Sequence, residues 1–233
     1  MCVTCNYLKN RPVEDEQPSV WNGEQELEKI SERLKDKVRK HHELHRLRCK
    51  GEYMEEFFSQ ALEEIGIDNE WYGADHGKGS DVFIKEDNSS RLFDSEKGEV
   101  TGISCKTNIK SGLNTVRADM SGGRLERFNG DLDKMLDYLS NQNNYKWYFF
   151  GTYRRLTENK SLDYHEYEFH LLPNNFVDPL HFEDQWKDGD WNVKLCTGFN
   201  LEISNSQSKQ YWINGIPEAI LSCFSFGKIQ IDK

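Results

Sequence analysis

The chain has no apolar stretch approaching the ~20 residues that a membrane-spanning helix requires. Its opening residues, MCVTCNYLKNRPVEDEQ, lack the charged start and apolar run of a secretory signal. A cytoplasmic protein is therefore expected. Prolines are few, five in 233 residues, and there is neither an internal repeat nor a low-complexity tract, so one folding unit is expected. An excess of positive charge is also missing, since the formal net charge is -10. That sum would argue against a nucleic-acid partner, except that phosphate binding depends on local clustering of charge.

What the chain does contain is 36% hydrophobic, 12% aromatic and 30% charged residues, the composition of a soluble globular domain able to bury a sizeable core. The charge is uneven. Residues 35–50, KDKVRKHHELHRLRCK, hold seven Lys/Arg against two acids, either a phosphate-facing strip or a solvated helix face. Six cysteines stand at positions 2, 5, 49, 105, 196 and 223. Without an export signal they read as free thiols. Cys2 and Cys5 form a lone CxxC, and His41, His45 and Cys49 recur every fourth residue. A zinc-dependent N-terminal element is one reading of these residue types, and a frayed terminus beside a histidine-bearing helix face is the other.

Residues 1–20 read as a loose arm. A long helix is predicted over 23–49, with Asn22 able to cap it and Leu27, Ile30, Leu34 and Val38 at helical spacing, until Gly51 breaks it. A second helix, EYMEEFFSQALEEIG, carries Met54, Phe58, Leu62 and Ile65 on one stripe and stops at Gly66. Glu55 shares the apolar side, whereas Glu52, Glu56 and Glu63 lie on the wet side. Strands are predicted at 81–85, at 91–93 and at 99–107, the last with Ile103 and Cys105 on one face and Gly102, Ser104 and Lys106 on the other. The segment 108–129 reads as a long irregular loop carrying Lys110, Arg117, Arg124 and Arg127. GDLDKMLDYLSNQNN is then a clear amphipathic helix, and KWYFFGTY a strand buried on both faces. Strand, long crossover and buried strand together predict a parallel pair. Further strands are predicted at 165–172, 191–196, 201–204 and 211–213, followed by a closing helix from Pro217 through Phe224.

The resulting order is a helix with an inward acid, a strand opening on Asp81 in GSDVF, and a strand ending on Lys106 in ISCK, then a basic loop, an amphipathic helix and a buried strand. This order resembles the PD-(D/E)xK nuclease superfamily and, within it, the type II restriction endonucleases. SGGRLERF (121–128) and SNSQSKQYWI (204–213) are similar to segments of such enzymes. The resemblance implies an α/β fold with a mixed central β-sheet flanked by helices, a restriction-endonuclease-like core with N-terminal helical and C-terminal β-rich additions. It divides the chain into an arm and helix (1–50), a catalytic core (51–155) and a β-rich extension (156–233).

The implied activity is Mg²⁺-dependent, sequence-specific cleavage of double-stranded DNA by a homodimer. Asp81 and Glu55 would be the metal ligands, and Lys106 would offset phosphate charge and orient the attacking water. Where the pattern asks for an acid two residues before the lysine, this chain has Ser104. Either the Ser104 hydroxyl serves there, or a carboxylate comes from Glu55 or Glu99, or the site has lost activity. Lys110, Arg117, Arg124, Arg127, Gln207 and Gln210 are the DNA-binding candidates, with Ser206 beside them and Arg124 first among them for base reading. Two rival expectations remain: a nuclease of the same core acting on structured DNA or without sequence preference, and a DNA-binding module without a working site.

Overall fold

The computed structural model describes residues 23–45, 48–49, 51–73, 80–85, 90, 92–93, 101–109, 115–140, 147–158, 162–173, 192–194, 200–203 and 210–232. The N-terminal arm with Cys2 and Cys5, the capping Asn22, and Glu99, Lys110, Ser206 and Gln207 lie outside these residues.

Helix α1, Glu24–His45, begins where the Glu26 and Leu27 N–H groups both donate to the Gly23 carbonyl at 3.0 Å. It buries Leu27, Ile30, Leu34 and Val38 in one stripe that continues through His41 and His42. The helix ends four residues before the predicted limit, and Gly51 opens the next helix rather than breaking this one. Helix α2, Gly51–Glu64, buries Met54, Phe58, Ala61 and Leu62. It stops at Gly66, whose φ of 88° suits a residue without Cβ and whose N–H donates to the Glu63 carbonyl at 2.9 Å.

Among the described residues, ten strands follow in two sheets. The main sheet uses β1 (Asn69–Trp71), β2 (Val82–Ile84), β3 (Thr101–Ile109), β5 (Trp147–Glu158), β6 (Leu162–Pro173) and β10 (Ser225–Asp232), in the order β1-β2-β3-β5-β6-β10. The β3–β5 pair is parallel, as the intervening crossover requires, and every other pairing is antiparallel. The second sheet is antiparallel, ordered β4-β9-β8-β7, and uses β4 (Thr115–Arg124), β7 (Asn192–Lys194), β8 (Asn200–Ile203) and β9 (Gln210–Pro217). The crossover between β3 and β5 holds β4, a 3-10 turn at Leu125–Phe128 and helix α3, Leu132–Ser140. Helix α4, Glu218–Ser222, joins β9 to β10.

Both long helices pack on the sheet face that presents Ile103, Cys105, Phe149 and Phe169, and their apolar stripes merge with it into one core. Phe58 stacks on Phe149 with centroids 4.1 Å apart and planes 9° from parallel. Glycine makes the approach possible at two places. A Cβ on Gly151 would lie 2.6 Å from Met54 Cγ of α2, and one on Gly227 would lie 2.2 Å from Ser31 Oγ of α1. Alternation sends Tyr148, Phe150, His170 and Leu172 to the opposite face, where they are also fully buried. There His170 Nδ1 donates to the Leu221 carbonyl of α4 at 2.9 Å. The protein is thus mixed α/β, with a mostly antiparallel, partly parallel central sheet flanked by helices.

Three expectations need correction. The 108–129 segment is not an irregular loop: ten of its residues form β4, whose partner β9 is almost a hundred residues away and leaves no local signal. Leu92 and Phe93 of the predicted 91–93 strand are a buried turn. The closing helix spans only Glu218–Ser222, because Pro217 still belongs to β9, and the chain then returns as β10 to the edge of the main sheet.

Candidate active site at a strand fork

Strand β2 is three residues long and β3 is nine, so β3 outruns its antiparallel partner. Their ladder pairs Val82 with Ile103, and the Asp81 N–H still donates to the Ile103 carbonyl at 3.0 Å. Beyond that point β2 has bent away. The next donor of β3, the Cys105 N–H, is taken by the side chain of Asp81, whose Oδ2 accepts it at 2.6 Å. A carboxylate thus replaces the missing strand carbonyl, which keeps a buried backbone donor satisfied and fixes the Asp81 side chain in the fork. The Ser104 hydroxyl, itself fully buried, donates to the same oxygen at 3.3 Å.

Lys106 follows on the face that Ser104 shares, beside Phe150 of the parallel strand, and is half-buried. Glu55 reaches the same place from α2. Burial first, then the charge of Asp81, push its carboxyl up to about 7, against the pull of Lys106 and of a hydrogen bond from the Trp71 side chain. Burial, followed by the charges of Asp81 and Glu55, also pushes the Cys105 thiol well above its ordinary range. This thiol is therefore no nucleophile. Glu55, Asp81, Lys106 and Ser104, predicted from the sequence as one constellation, come from a helix, a strand edge and the neighbouring strand to a common point. Trp71 belongs beside them and was missed, for β1 is a three-residue strand with no periodicity to read.

The donors that the described residues bring to this point are hard: two carboxylates and a hydroxyl. That set fits Mg²⁺, which is commonly held by one or two carboxylates together with substrate phosphate oxygens. Among the described residues no three His, Cys, Asp or Glu side chains are gathered closely enough to hold an ion by themselves. The N-terminal zinc reading gains nothing from the residues that are described. His41 and His45 rings lie 4.8 Å apart, but Cys49 is turned into the core, its N–H donating to the Tyr167 hydroxyl at 3.0 Å and its thiol pushed up by burial to about 12.

The DNA-binding candidates divide. Arg124 closes β4 and is exposed, and the β4–β9 ladder sets it opposite Gln210, so two candidates 86 positions apart share one end of the second sheet. Arg127 is exposed on the 3-10 turn. Arg117 lies within β4 rather than on a loop. Four cations of the basic strip on α1, by contrast, form ion pairs within the protein. Lys35 lies 2.8 Å from Glu32, Lys37 2.6 Å from Glu64 of α2, Arg39 3.2 Å from Asp36 and Lys40 3.3 Å from Asp36. It reads as a solvated helix face that ties α1 to α2.

Compared with known proteins, the chain matches no family model, no curated protein and no solved structure.

Proposed function

We propose that this protein is a Mg²⁺-dependent endonuclease that cuts double-stranded DNA at a specific sequence, acting as a cytoplasmic homodimer like the type II restriction enzymes that its sequence resembles. The observation that carries this reading is the convergence of Glu55, Asp81 and Lys106 on the fork between β2 and β3, where burial and like charge leave one carboxyl titrating at about 7. A strongly perturbed acid beside a second carboxylate and a lysine is a functional-site candidate.

Asp81 and Glu55 would hold Mg²⁺, which supplies positive charge at the phosphate and acidifies coordinated water. Asp81 is fixed for that task by the Cys105 N–H and the Ser104 hydroxyl, so Ser104 orients a carboxylate where the family pattern would supply one. Lys106 lies beside the two acids and offsets the charge that gathers on the phosphate oxygens as water attacks. Arg124 and Gln210, set side by side at the end of the second sheet, are the groups best placed to read base edges. A two-fold dimer matches a duplex that must be cut on both strands.

The test is incubation of purified protein with unmethylated phage DNA and Mg²⁺, beside Asp81→Ala and Lys106→Ala. Discrete fragments that vanish in both variants support the reading, whereas a smear supports a nuclease without sequence preference. The second reading, a DNA-binding module without catalysis, rests on the serine at position 104, which brings no charge to the site. Retained DNA binding with intact DNA in every lane would favour it.

A further inference from the structure

At the far end of the main sheet, away from the fork, the helix-covered face opens into a cleft of about 590 Å³ lined by His42, Glu43, Tyr153, Arg155, His165, Ile231 and Asp232. Strand register explains its floor. Arg155, His165 and Ile231 are direct partners across β5, β6 and β10, forming one row, and Tyr153, Tyr167 and Ile229 form the next row inward. The last turn of α1 supplies the roof through His42 and Glu43.

Two tyrosines orient the imidazoles. The Tyr167 hydroxyl accepts the Cys49 N–H at 3.0 Å and shares a hydrogen bond with His42 Nε2, 2.5 Å away. Tyr153 bonds His165 Nδ1 at 2.8 Å, and the two rings lie nearly parallel, 23° apart with centroids separated by 5.7 Å. Burial first, then His165 and His41, push His42 down to about 4, which favours its uncharged form. Arg155 is then the fixed cation of the lining, and Glu43 and Asp232 are its acids. This combination of flat ring surfaces, a guanidinium and two carboxylates in a volume suited to a small molecule defines complementary chemistry.

We propose that this cleft binds a small planar nitrogen heterocycle carrying an anionic group, of mononucleotide size. The anionic group would meet Arg155, the ring would lie against His165 and Tyr153, and amino groups on the ring would face Glu43 and Asp232. The site is independent of the nuclease reading and lies on other strands.

The test is calorimetric titration of the full chain with each 5′-mononucleotide and with inorganic phosphate. EDTA and an Asp81→Ala background keep the fork from contributing. Binding of at least one mononucleotide, weakened about tenfold or more by Arg155→Gln and also by Tyr153→Leu, is expected. Circular dichroism checks that both variants fold. Perturbation of the His42 and His165 imidazole resonances would place the ligand in the cleft. Phosphate binding as tightly as any nucleotide would overturn the proposal in favour of a plain anion site. No binding, or binding indifferent to both variants, would also overturn it.

Discussion

Two acids, Glu55 and Glu166, are tucked into the same sheet-and-helix body and end in opposite states. Glu166 on β6 is the more buried, 2% exposed, yet its pKa lies below the ordinary range. Burial works against its charge, but Lys228 at 2.7 Å, Gln230 at 2.9 Å and Arg154 at 2.5 Å outweigh that cost. Glu55 is driven up to about 7, by burial first and then by Asp81, another acid, as its strongest charged neighbour. Depth alone therefore does not decide the charge state of a buried carboxyl; its partners do. A satisfied acid of the first kind belongs to the scaffold, while a frustrated one of the second kind persists where something else is to complete it.

The contrast breaks most sharply at the fork. Asp81→Ala and Lys106→Ala should each lower the rate of DNA cleavage on the order of a thousand-fold, read by gel; Asp81→Ala, which also leaves the Cys105 N–H without its acceptor, should cost about 1–3 kcal/mol of stability besides, whereas Lys106→Ala should leave the thermal midpoint little changed. Glu166→Ala should do the reverse. Leaving Arg154 and Lys228 facing each other without their shared anion should cost about 3 kcal/mol in urea unfolding, with cleavage by the folded fraction intact.

Glu55→Gln tests the frustrated acid directly, and its sign follows from proton uptake. The native state holds the Glu55 proton up to about 7, whereas the unfolded chain releases it near the ordinary value of 4.5. Native stability therefore falls as pH rises between those values, and the full cost is present above the upper one. In EDTA, Glu55→Gln should be more stable than the parent by about 1–3 kcal/mol at pH 8, and the gain should vanish below about pH 4.5. The same variant should lose cleavage. The smallest effect belongs to α1. Lys37→Ala breaks an ion pair whose acid is 44% exposed and should cost less than about 1 kcal/mol. The salt dependence of DNA binding should be unchanged, whereas a shallower slope would return the basic strip to the DNA-facing surface.

Much of this contrast was legible in the chain itself. Helical spacing put Glu55 on the buried side of α2, period-two alternation put Ser104 and Lys106 on one face of β3, and the unbroken apolar run of β5 announced a strand with both sides covered. Each of these is a local pattern. What resisted reading depends on partners remote in sequence. β4 is a strand only because β9 comes back to it, Trp71 meets Glu55 only once β1 lies on β2, and Glu166 gave no sign that Arg154 and Lys228 would flank it. The basic strip stayed open between two readings for the same reason, since Glu64, which pairs with Lys37, lies on another helix.

The ladder that sets Ala118 beside Ile213 has a temporal consequence. On a ribosome adding roughly 5–20 residues each second, β4 waits several seconds or more for its partner. Helix α2, β2 and β3 have already been synthesised by then, and β5 and β6 follow during the wait. The fork and its charged residues can thus assemble before the second sheet exists, and the nascent chain carries an open strand edge during that interval.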